Sequence, residues 1–260
     1  MVHAPTGALT LQDIELLLEL TRKELRRRYR RTYLGYAWSL LHPIALAAVF
    51  FLAFRVIMRF EMEHYPLFLL AGLFPWQWFS NSVVSGTGTY LQNPTLVRRL
   101  VFRRELLPLA TVLNDCIHFV ASLPVLIALA FYYGVTMSAA WLVGIPLLVL
   151  AQVGFTYGLA LVLSSANVFV RDLERISVIL TTLLFYLTPV IYPAELIPDR
   201  FLWIFSINPM FYFITGYQEI ILAGRIPLLH LGVAWAAAGL SLVIGTVVAR
   251  SLRWRIPEAL

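Results

Sequence analysis

Charge and cysteine are both scarce in this sequence of 260 residues. Charged side chains make up 13% of it, hydrophobic side chains make up 60%, and the mean hydropathy is +0.79. A soluble domain usually carries about 25% charged residues, so this composition excludes an ordinary soluble protein and indicates an integral membrane protein. Cys116 is the only cysteine, which excludes an internal disulfide and a secreted scaffold that depends on disulfides.

Lysine and clustered metal ligands are scarce as well. Lys23 is the only lysine, and the sequence has no G-x-x-x-x-G-K-[ST] loop, so we expect no ATP or other cofactor on this chain. The five histidines are scattered over separate segments without the spacing of a metal site. A membrane glycosyltransferase or lipid phosphatase usually needs clustered carboxylates or histidines, so an enzyme is disfavoured.

Long uncharged segments predict an all-α membrane protein of six spans, since each span needs about 20 apolar residues. Residues 116–170 contain no charge and suffice for the third and fourth spans, with a turn near FYYGVTMSAAW. The other four spans are predicted at residues 36–54, within the uncharged stretch 65–97 with its exit at SGTGTYLQNP, and at residues 176–194 and 226–249. Residues 201–218 are also uncharged, but Asn208 and Pro209 interrupt them. We therefore expect a re-entrant or surface hairpin on the outer side, at about residues 195–220.

The basic residues predict the orientation of these spans. With six spans and both termini in the cytoplasm, the inner segments hold 16 of the 20 lysines and arginines. The net charge of +6 thus comes from residues beside apolar runs, which favours membrane lipids over nucleic acid as partners. The predicted organisation is a cytoplasmic segment at 1–35, a transmembrane domain at 36–250 and a cytoplasmic tail at 251–260.

An amphipathic helix is predicted ahead of the first span. Thr10 and Asp13 resemble a capping box, and Glu15 and Glu19 are placed to pair with Lys23 and its neighbours. The apolar positions expected on one face are Ile14, Leu17, Leu18 and Leu25. The residues expected to anchor the segment at anionic lipid headgroups are Arg26, Arg27, Arg28, Tyr29, Arg30 and Arg31. A solvated helix that merely precedes the first span is the alternative.

Several motifs occur in a fixed order along the chain. They are RYRRTYLGYAWSLLHPI, LFLLAGLFPWQWFSNSV, LQNPTLVRRLVFRRELLPLATV, NVFVRDLERI running into LTPVIYP, and INPM. In order and spacing they resemble the type-2 ABC transporter permeases that export bacterial cell-surface polysaccharides such as O-antigen or teichoic acid, and the resemblance covers nearly the whole chain from Glu24.

That resemblance implies a homodimer of six-helix subunits in the bacterial cytoplasmic membrane. A lipid-linked polysaccharide would pass between the subunits, and two copies of a separate ATPase subunit would hold ATP and Mg. A permease for a small amphiphilic drug or lipid has the same architecture and stays open as an alternative. A passive channel would need no ATPase partner.

The resemblance also implies a coupling helix in the inner loop at about residues 92–105, resting in a groove of the ATPase. Asn93 and Pro94 can start a short helix, with Leu96, Val97 and Leu100 as an apolar ridge. A loop whose arginines serve only topology is the alternative. In the loop VRDLER, Asp172 with Arg175 or Glu174 with Arg171 could instead pair and fix the loop. The residues expected at the ATPase are Asn93, Pro94, Leu96, Val97, Arg98, Arg99, Leu100, Phe102, Arg103, Glu105, Arg171 and Asp172.

Sugar rings have apolar faces, so a conduit for them needs aromatic surfaces and sparse hydrogen-bonding groups. Aromatic residues make up 14% of the chain, although enrichment of Trp and Tyr at membrane interfaces explains many of them. The resemblance places the first and fifth spans at the subunit seam. The residues expected along the path are Tyr36, Trp38, Trp76, Trp78, Tyr186 and Tyr192. The residues expected in an outer gate are Pro189, Pro193, Asn208, Pro209, Phe211 and Tyr212.

Asp115 is the one acidic residue inside a predicted span, which makes it a functional candidate. Asn114 and His118 lie close enough along the helix to be its partners. A proton relay is conceivable. A satisfied structural network near the cytoplasmic interface is favoured, because Glu105 at the inner end is close in sequence.

Overall fold

The computed structural model of the chain describes residues 10–29, 33, 35–99 and 102–260, and the side chains of these residues other than Arg28, Tyr29, Tyr36, Ser39 and Arg99. Every regular element in these ranges is helical. The longer helices are α1 (Leu11–Tyr29), α2 (Trp38–Phe51), α3 (Tyr65–Thr87), α6 (Leu106–Tyr132), α7 (Ala139–Asn167), α8 (Leu173–Tyr186), α10 (Pro209–Gln218) and α11 (Leu228–Leu252). The short ones are α4 (Thr89–Gln92), α5 (Pro94–Arg99), α9 (Leu202–Ser206) and α12 (Ile256–Ala259).

Four helical segments in the described part of the chain are long and apolar enough to cross a membrane. They are Leu40–Ile57, in which α2 continues into a π-helical turn, and α6, α7 and α11. They correspond to the first, third, fourth and last predicted spans, so the protein is a multi-pass membrane protein. The helix of the third span begins at Leu106, well before residue 116, and the turn near FYYGVTMSAAW separates α6 from α7 as predicted.

The second and fifth predicted spans do not meet the same measure. Helix α3 is long enough, but its polar residues lower its hydropathy, whereas α8 has only 14 residues. The prediction that the fifth span continues to residue 194 was wrong, because α8 ends at Tyr186. Pro189 lacks an amide hydrogen and disfavours helical backbone at Thr188, so the helix cannot continue through this segment. The count of six spans stays a prediction.

The core is built around α3, which packs against α2, α6, α7, α8 and α10. Helices α7 and α11 lie in close contact because glycine lets their backbones approach. A β-carbon on Gly158 would collide with the carbonyl carbon of Ser241, and one on Gly245 would stand 2.5 Å from the oxygen of Gly158. The hydroxyl of Ser241 donates to the oxygen of Phe155 at 2.8 Å, which fixes the same crossing.

A second, smaller apolar cluster lies at the end of the bundle that carries α1, α4, α5 and α12. We call this end the inner end and the cluster the inner cluster. Its buried members are Leu20, Tyr90, Val97, Leu106, Leu107, Ala110, Val168 and Ile256. They come from six separate parts of the chain, so the inner cluster joins the N-terminal helix, both inner loops and the tail into one packed unit.

Candidate functional site

The loop between α3 and α6 contains the short helix that the sequence predicts. Pro94 occupies the first turn of α5, and the Asn93 side chain donates to the oxygen of Thr89 at 3.0 Å, so the helix starts where expected. Val97 is fully buried in the inner cluster, whereas Pro94 and Arg98 are exposed. Among the described side chains of α5, the exposed ones are thus Pro94, Thr95 and Arg98, and Val97 attaches the helix to the rest of the chain.

The remaining loop residues divide between contacts within the chain and positions outside the described residues. Leu96 and Phe102 pack against the inner cluster, and the oxygen of Glu105 accepts a hydrogen bond from the Tyr157 hydroxyl at 3.3 Å. Leu100 and the side chain of Arg99 lie outside the described residues. The predicted apolar ridge is thus directed at least partly into the chain itself.

Helix α1 lies against this loop and holds it through three polar contacts. The Lys23 ammonium donates to the side-chain oxygen of Asn93 at 3.2 Å, and Arg27 donates to the side-chain oxygen of Gln92 at 3.1 Å. The carboxylate of Asp13 lies 3.4 Å from Nε of Arg103. The N-terminal helix is therefore part of the inner end, and its three partners in these contacts, Gln92, Asn93 and Arg103, all lie far from it in the sequence.

The start of α1 is the capping box that the sequence predicts. The backbone amide and hydroxyl of Thr10 each donate to Oδ2 of Asp13 at 3.0 Å, and the amide of Asp13 donates to the Thr10 hydroxyl at 3.2 Å. The backbone hydrogen bond from Thr10, then its hydroxyl and the charge of Arg103, hold the pKa of the Asp13 carboxyl below its usual range, although burial opposes them. The cap thus also positions the acid that contacts Arg103.

Helix α1 has two apolar faces. Leu16, Leu17 and Leu20 pack into the inner cluster, whereas Leu11, Ile14 and Leu18 are exposed on an adjacent stripe. Placing Leu17 on the same free face as Ile14 and Leu18 was therefore wrong, because its side chain packs inward. The exposed stripe beside polar residues is the pattern of a helix that lies at a membrane interface.

The charged residues of α1 pair in part as predicted. Glu19 pairs at 2.8 Å with Arg22, a neighbour of Lys23, and Glu24 pairs with Arg27 at 2.6 Å. Arg26 is exposed. The other residues expected to anchor this segment lie outside the described residues or have undescribed side chains: Arg28, Tyr29, Arg30 and Arg31.

The second inner loop, residues 168–172, packs on the same inner cluster as α5, since Val168 and Val97 are both members of it. Arg171 and Asp172 are exposed and, like every other charged side chain of VRDLER, form no ion pair in the described structure. The pairs that would fix this loop are therefore absent. Its backbone is held from within, where Asn167 donates to the oxygen of Thr87 at 3.1 Å.

At the end of the bundle opposite the inner end, which we call the outer end, helices are interrupted at the two predicted places, LTPVIYP and Asn208-Pro209. The side chain of Asn208 caps α10 by accepting from the amide of Met210 at 3.0 Å, with Pro209 next in the first turn. The amide nitrogen of the same side chain donates to the Thr188 hydroxyl at 2.8 Å. Gln218 donates to the oxygen of Pro189 at 3.0 Å. The segment LTPVIYP is therefore bound to α10 at both ends of that helix.

The other predicted gate residues lie at the edge of this contact. Pro193 is half-buried, and the rings of Phe211 and Tyr212 lie 5.2 Å apart at the start of α10. Both rings approach His230 on α11, which faces Glu219 at 3.7 Å, and Glu219 also pairs with Arg225 at 3.3 Å. Sequence reasoning missed this polar group, because the segments that carry it are brought together only by packing of α10 on α11.

The predicted path residues fall into two groups. Trp38 on α2 and Tyr186 on α8 are exposed. Tyr192 is half-buried, and its hydroxyl donates a hydrogen bond to the backbone oxygen of Tyr186 at 2.7 Å. Trp76 and Trp78, in contrast, are buried in the core of the single chain. Trp78 donates to the oxygen of Val112 at 3.2 Å and its ring stacks on Phe119. The side chain of Tyr36 lies outside the described residues.

Asp115 is buried on α6 and accepts a hydrogen bond from the hydroxyl of Ser82 on α3 at 2.9 Å. Asn114 is buried as well, and His118 is half-buried. Ser82 is a partner that sequence spacing could not identify, since it lies on a different helix. The contact ties α3 to α6 within the core.

A family model described as ABC-2 type transporter matches residues 15–222 of the chain. The O-antigen export system permease protein RfbA of Klebsiella pneumoniae is 35% identical over 246 residues, which are 95% of each chain. The protein of the same name from Myxococcus xanthus is 38% identical over 82% of each chain. The polysialic acid transport protein KpsM of Escherichia coli is 25% identical over 78% of this chain and 80% of its own. The family match contains α5, the second inner loop and α10.

Proposed function

Because the chain belongs to the ABC-2 type transporter family, we propose that it is the permease subunit of an exporter that moves lipid-linked O-antigen or a related polysaccharide across the cytoplasmic membrane. The observation that carries this proposal is the similarity to an O-antigen export permease along 95% of both chains. Energy comes from a separate ATPase subunit, which binds ATP and Mg in place of this chain.

The inner end provides a surface for that ATPase. Pro94 and Arg98 on α5 and Arg171 and Asp172 of the second inner loop are exposed, and both segments rest on the inner cluster. A packed base is what a mechanical contact needs, because a force applied to α5 is then transmitted through Val97 to α6 instead of being absorbed by a loose loop. Two ATPase copies would bind two copies of this chain.

Two helices support the expected homodimer. Both α2 and α8 lie at the periphery of the single chain, and most of their apolar residues are exposed, including Trp38 and Tyr186. A second copy packed on these helices would place those rings along the seam. The polysaccharide would move through this seam, and the segment LTPVIYP with α10 would close its outer end.

Reconstitution tests the function directly. The chain, co-purified with its ATPase, is placed in liposomes and ATP hydrolysis is measured with lipid-linked polysaccharide in the bilayer. We expect hydrolysis to rise only when both subunits are present. Stimulation by small amphiphiles but not by the polymer would support the drug or lipid permease instead, and no stimulation by either would contradict the proposed substrate class.

A further inference from the structure

Helix α3 has one accessible face, and that face is polar. Inward of Pro66, every residue of the helix is buried except five. They are Gln77, Ser80, Asn81, Val84 and Ser85. These positions follow the three- and four-residue spacing of one helix face, so they form a continuous stripe along the inner half of α3. We call Gln77, Ser80, Asn81 and Ser85 the α3 polar stripe.

A polar face of this kind is costly against lipid. Amides and hydroxyls inside a membrane usually face a helix partner or a water-filled space, because hydrocarbon offers them no hydrogen bonds. The side-chain amide of Asn81 is exposed and forms no hydrogen bond in the described structure. The stripe therefore indicates water, a second protein surface or a polar ligand beside α3.

An independent contact from α2 points to the same place. His42, whose exposed neighbours among the described residues of α2 are apolar, lies against Gln77, with 3.0 Å between Nδ1 and the side-chain nitrogen of Gln77. One accessible polar pair thus bridges two helices in the membrane-embedded part of the chain. A single polar residue on one helix would not imply a lined space, but a pair on two helices beside the stripe does.

The surroundings of the stripe limit what can occupy it. On the α8 side the Trp76 and Phe185 rings lie 5.6 Å apart, and Phe185 stacks on Phe50 of α2 at 5.9 Å. These rings join α2, α3 and α8 at the outer side of Gln77. The stripe continues from there to the inner end, where Gly88 lies beside Glu174. The polar face is thus bounded by aromatic rings outward and leads to the inner end.

We propose that the α3 polar stripe, with His42, lines the inner part of the translocation path and binds the hydroxyl groups of the polysaccharide. This inference rests on the proposed function. The stripe carries no charge and offers both donors and acceptors, which suits a polyhydroxylated chain. Exposed Trp38 on neighbouring α2 offers a ring face for the apolar side of a sugar. Trp76 and Trp78, buried in the core, then support this path without lining it.

Water access is tested first with single cysteines. In a chain with Cys116→Ser, Asn81→Cys is compared with Val243→Cys, an exposed apolar position on α11. The two depths match, because Asn81 follows Phe79 by two residues, Val243 follows Ser241 by two residues, and both Phe79 and Ser241 contact Phe155. The complex with the ATPase, in liposomes, is treated with a charged thiol reagent that does not cross membranes. We expect Asn81→Cys to react at least about tenfold faster, because the reactive thiolate needs water. Equal rates would overturn the proposal. It would also be overturned if the reagent failed to label Asn81→Cys and this cysteine formed a crosslink to the second copy, because the stripe would then face protein.

Export is tested next, in the chain that keeps Cys116. In cells whose surface polysaccharide depends on this permease, Asn81→Leu is expected to lower the export rate about tenfold, the effect of one lost hydrogen bond at each sugar contact. Asn81→Gln keeps the amide and should restore most of the rate, and the amount of complex should not change. Unchanged export by Asn81→Leu would contradict the proposal. If the unmodified chain supported no polysaccharide export, the proposed function would fail, and the labelling result would still decide whether the stripe faces water.

Discussion

At the scale of single residues, Asn208 connects two segments of the outer end. Its oxygen caps α10, and its nitrogen donates to the Thr188 hydroxyl in the segment that follows α8. The residue is 8% exposed, so both bonds are shielded from solvent. Losing such a side chain removes a cap and leaves a buried hydroxyl without its donor.

We expect Asn208→Ala to lower the free energy of unfolding by about 1–2 kcal/mol, the usual effect of a lost helix cap and a lost buried hydrogen bond. Thermal unfolding of the purified chain in detergent measures this. Ser206→Ala is the control, because the Ser206 hydroxyl contacts only the oxygen of Trp203 and is exposed. Equal melting temperatures for the two variants would contradict the role given to Asn208.

Asp13 makes the inner end sensitive to acid. Its pKa is lowered by the Thr10 hydrogen bonds and Arg103, so its contribution to stability is complete above the pKa of the unfolded chain, about 3.9. That contribution is lost as the pH falls through the lower pKa of the folded state. The docked position of α1 should therefore loosen in acid.

Hydrogen exchange across α1 tests this expectation. Protection factors of its amides, corrected for intrinsic rates, should fall below about pH 4 in the unmodified chain. In Asp13→Asn they should be low already at neutral pH and change less on acidification. Glu15→Gln, which alters an exposed acid of the same helix, should behave like the unmodified chain. Normal protection in Asp13→Asn at neutral pH would exclude this role.

At the scale of elements, the crossing of α7 and α11 is the tightest contact between two long helices. Gly158 faces the backbone of Ser241, and the two surfaces leave no space for a β-carbon. Rigid backbone cannot yield as the end of a flexible side chain can, so even one methyl group must separate the helices.

Gly158→Ala should destabilise the chain by about 1–3 kcal/mol through this overpacking. Gly239→Ala on α11 is the matched control, since a β-carbon there would meet nothing within 4 Å. Unfolding in detergent, followed by circular dichroism, gives both values. If Gly158→Ala were as stable as Gly239→Ala, the close approach of the two helices would be refuted.

At the scale of the whole molecule, the permease joins a membrane-embedded bundle to an inner unit that includes the N-terminal helix, both inner loops and the tail. The inner cluster, the contacts of α1 and the bond from Arg104 to the oxygen of Arg253 at 2.9 Å hold that unit together. An ATPase that binds α5 would therefore act on α1, α6 and the tail at once. Among the described side chains of α5, Arg98 is the exposed charged residue that such an ATPase would contact.

Arg98→Glu should weaken binding of the ATPase at least about tenfold and abolish ATP-dependent export, because a reversed charge repels what the original one attracts. Co-purification of the ATPase and its hydrolysis rate measure the effect. Arg255→Glu, an exposed arginine of the tail at the same end, is the control. Intact assembly and export in Arg98→Glu would contradict the proposed coupling.

The sequence by itself determined the features that depend on local chemistry. Apolar runs predicted the long helices, Asn208 and Pro209 predicted the start of α10, and Thr10 with Asp13 predicted the cap of α1. Helix caps depend on hydrogen bonds between residues a few positions apart, and membrane helices depend on the apolar character of consecutive residues. Both are therefore set largely by neighbours in the chain. The ordered motifs predicted the transporter family because their order and spacing are properties of the sequence and need no coordinates.

The tertiary structure decided which face of each helix meets which partner. Periodicity showed that α1 has an apolar side, but it did not show that Leu17 packs inward. It also could not predict that Trp76 and Trp78 lie in the core or that the polar face of α3 stays accessible. Ser82 with Asp115, and Lys23 with Asn93, are pairs from distant segments, and only packing brings them together. A helix fixes the angle between its own side chains, whereas its rotation against its neighbours depends on contacts spread over the whole chain.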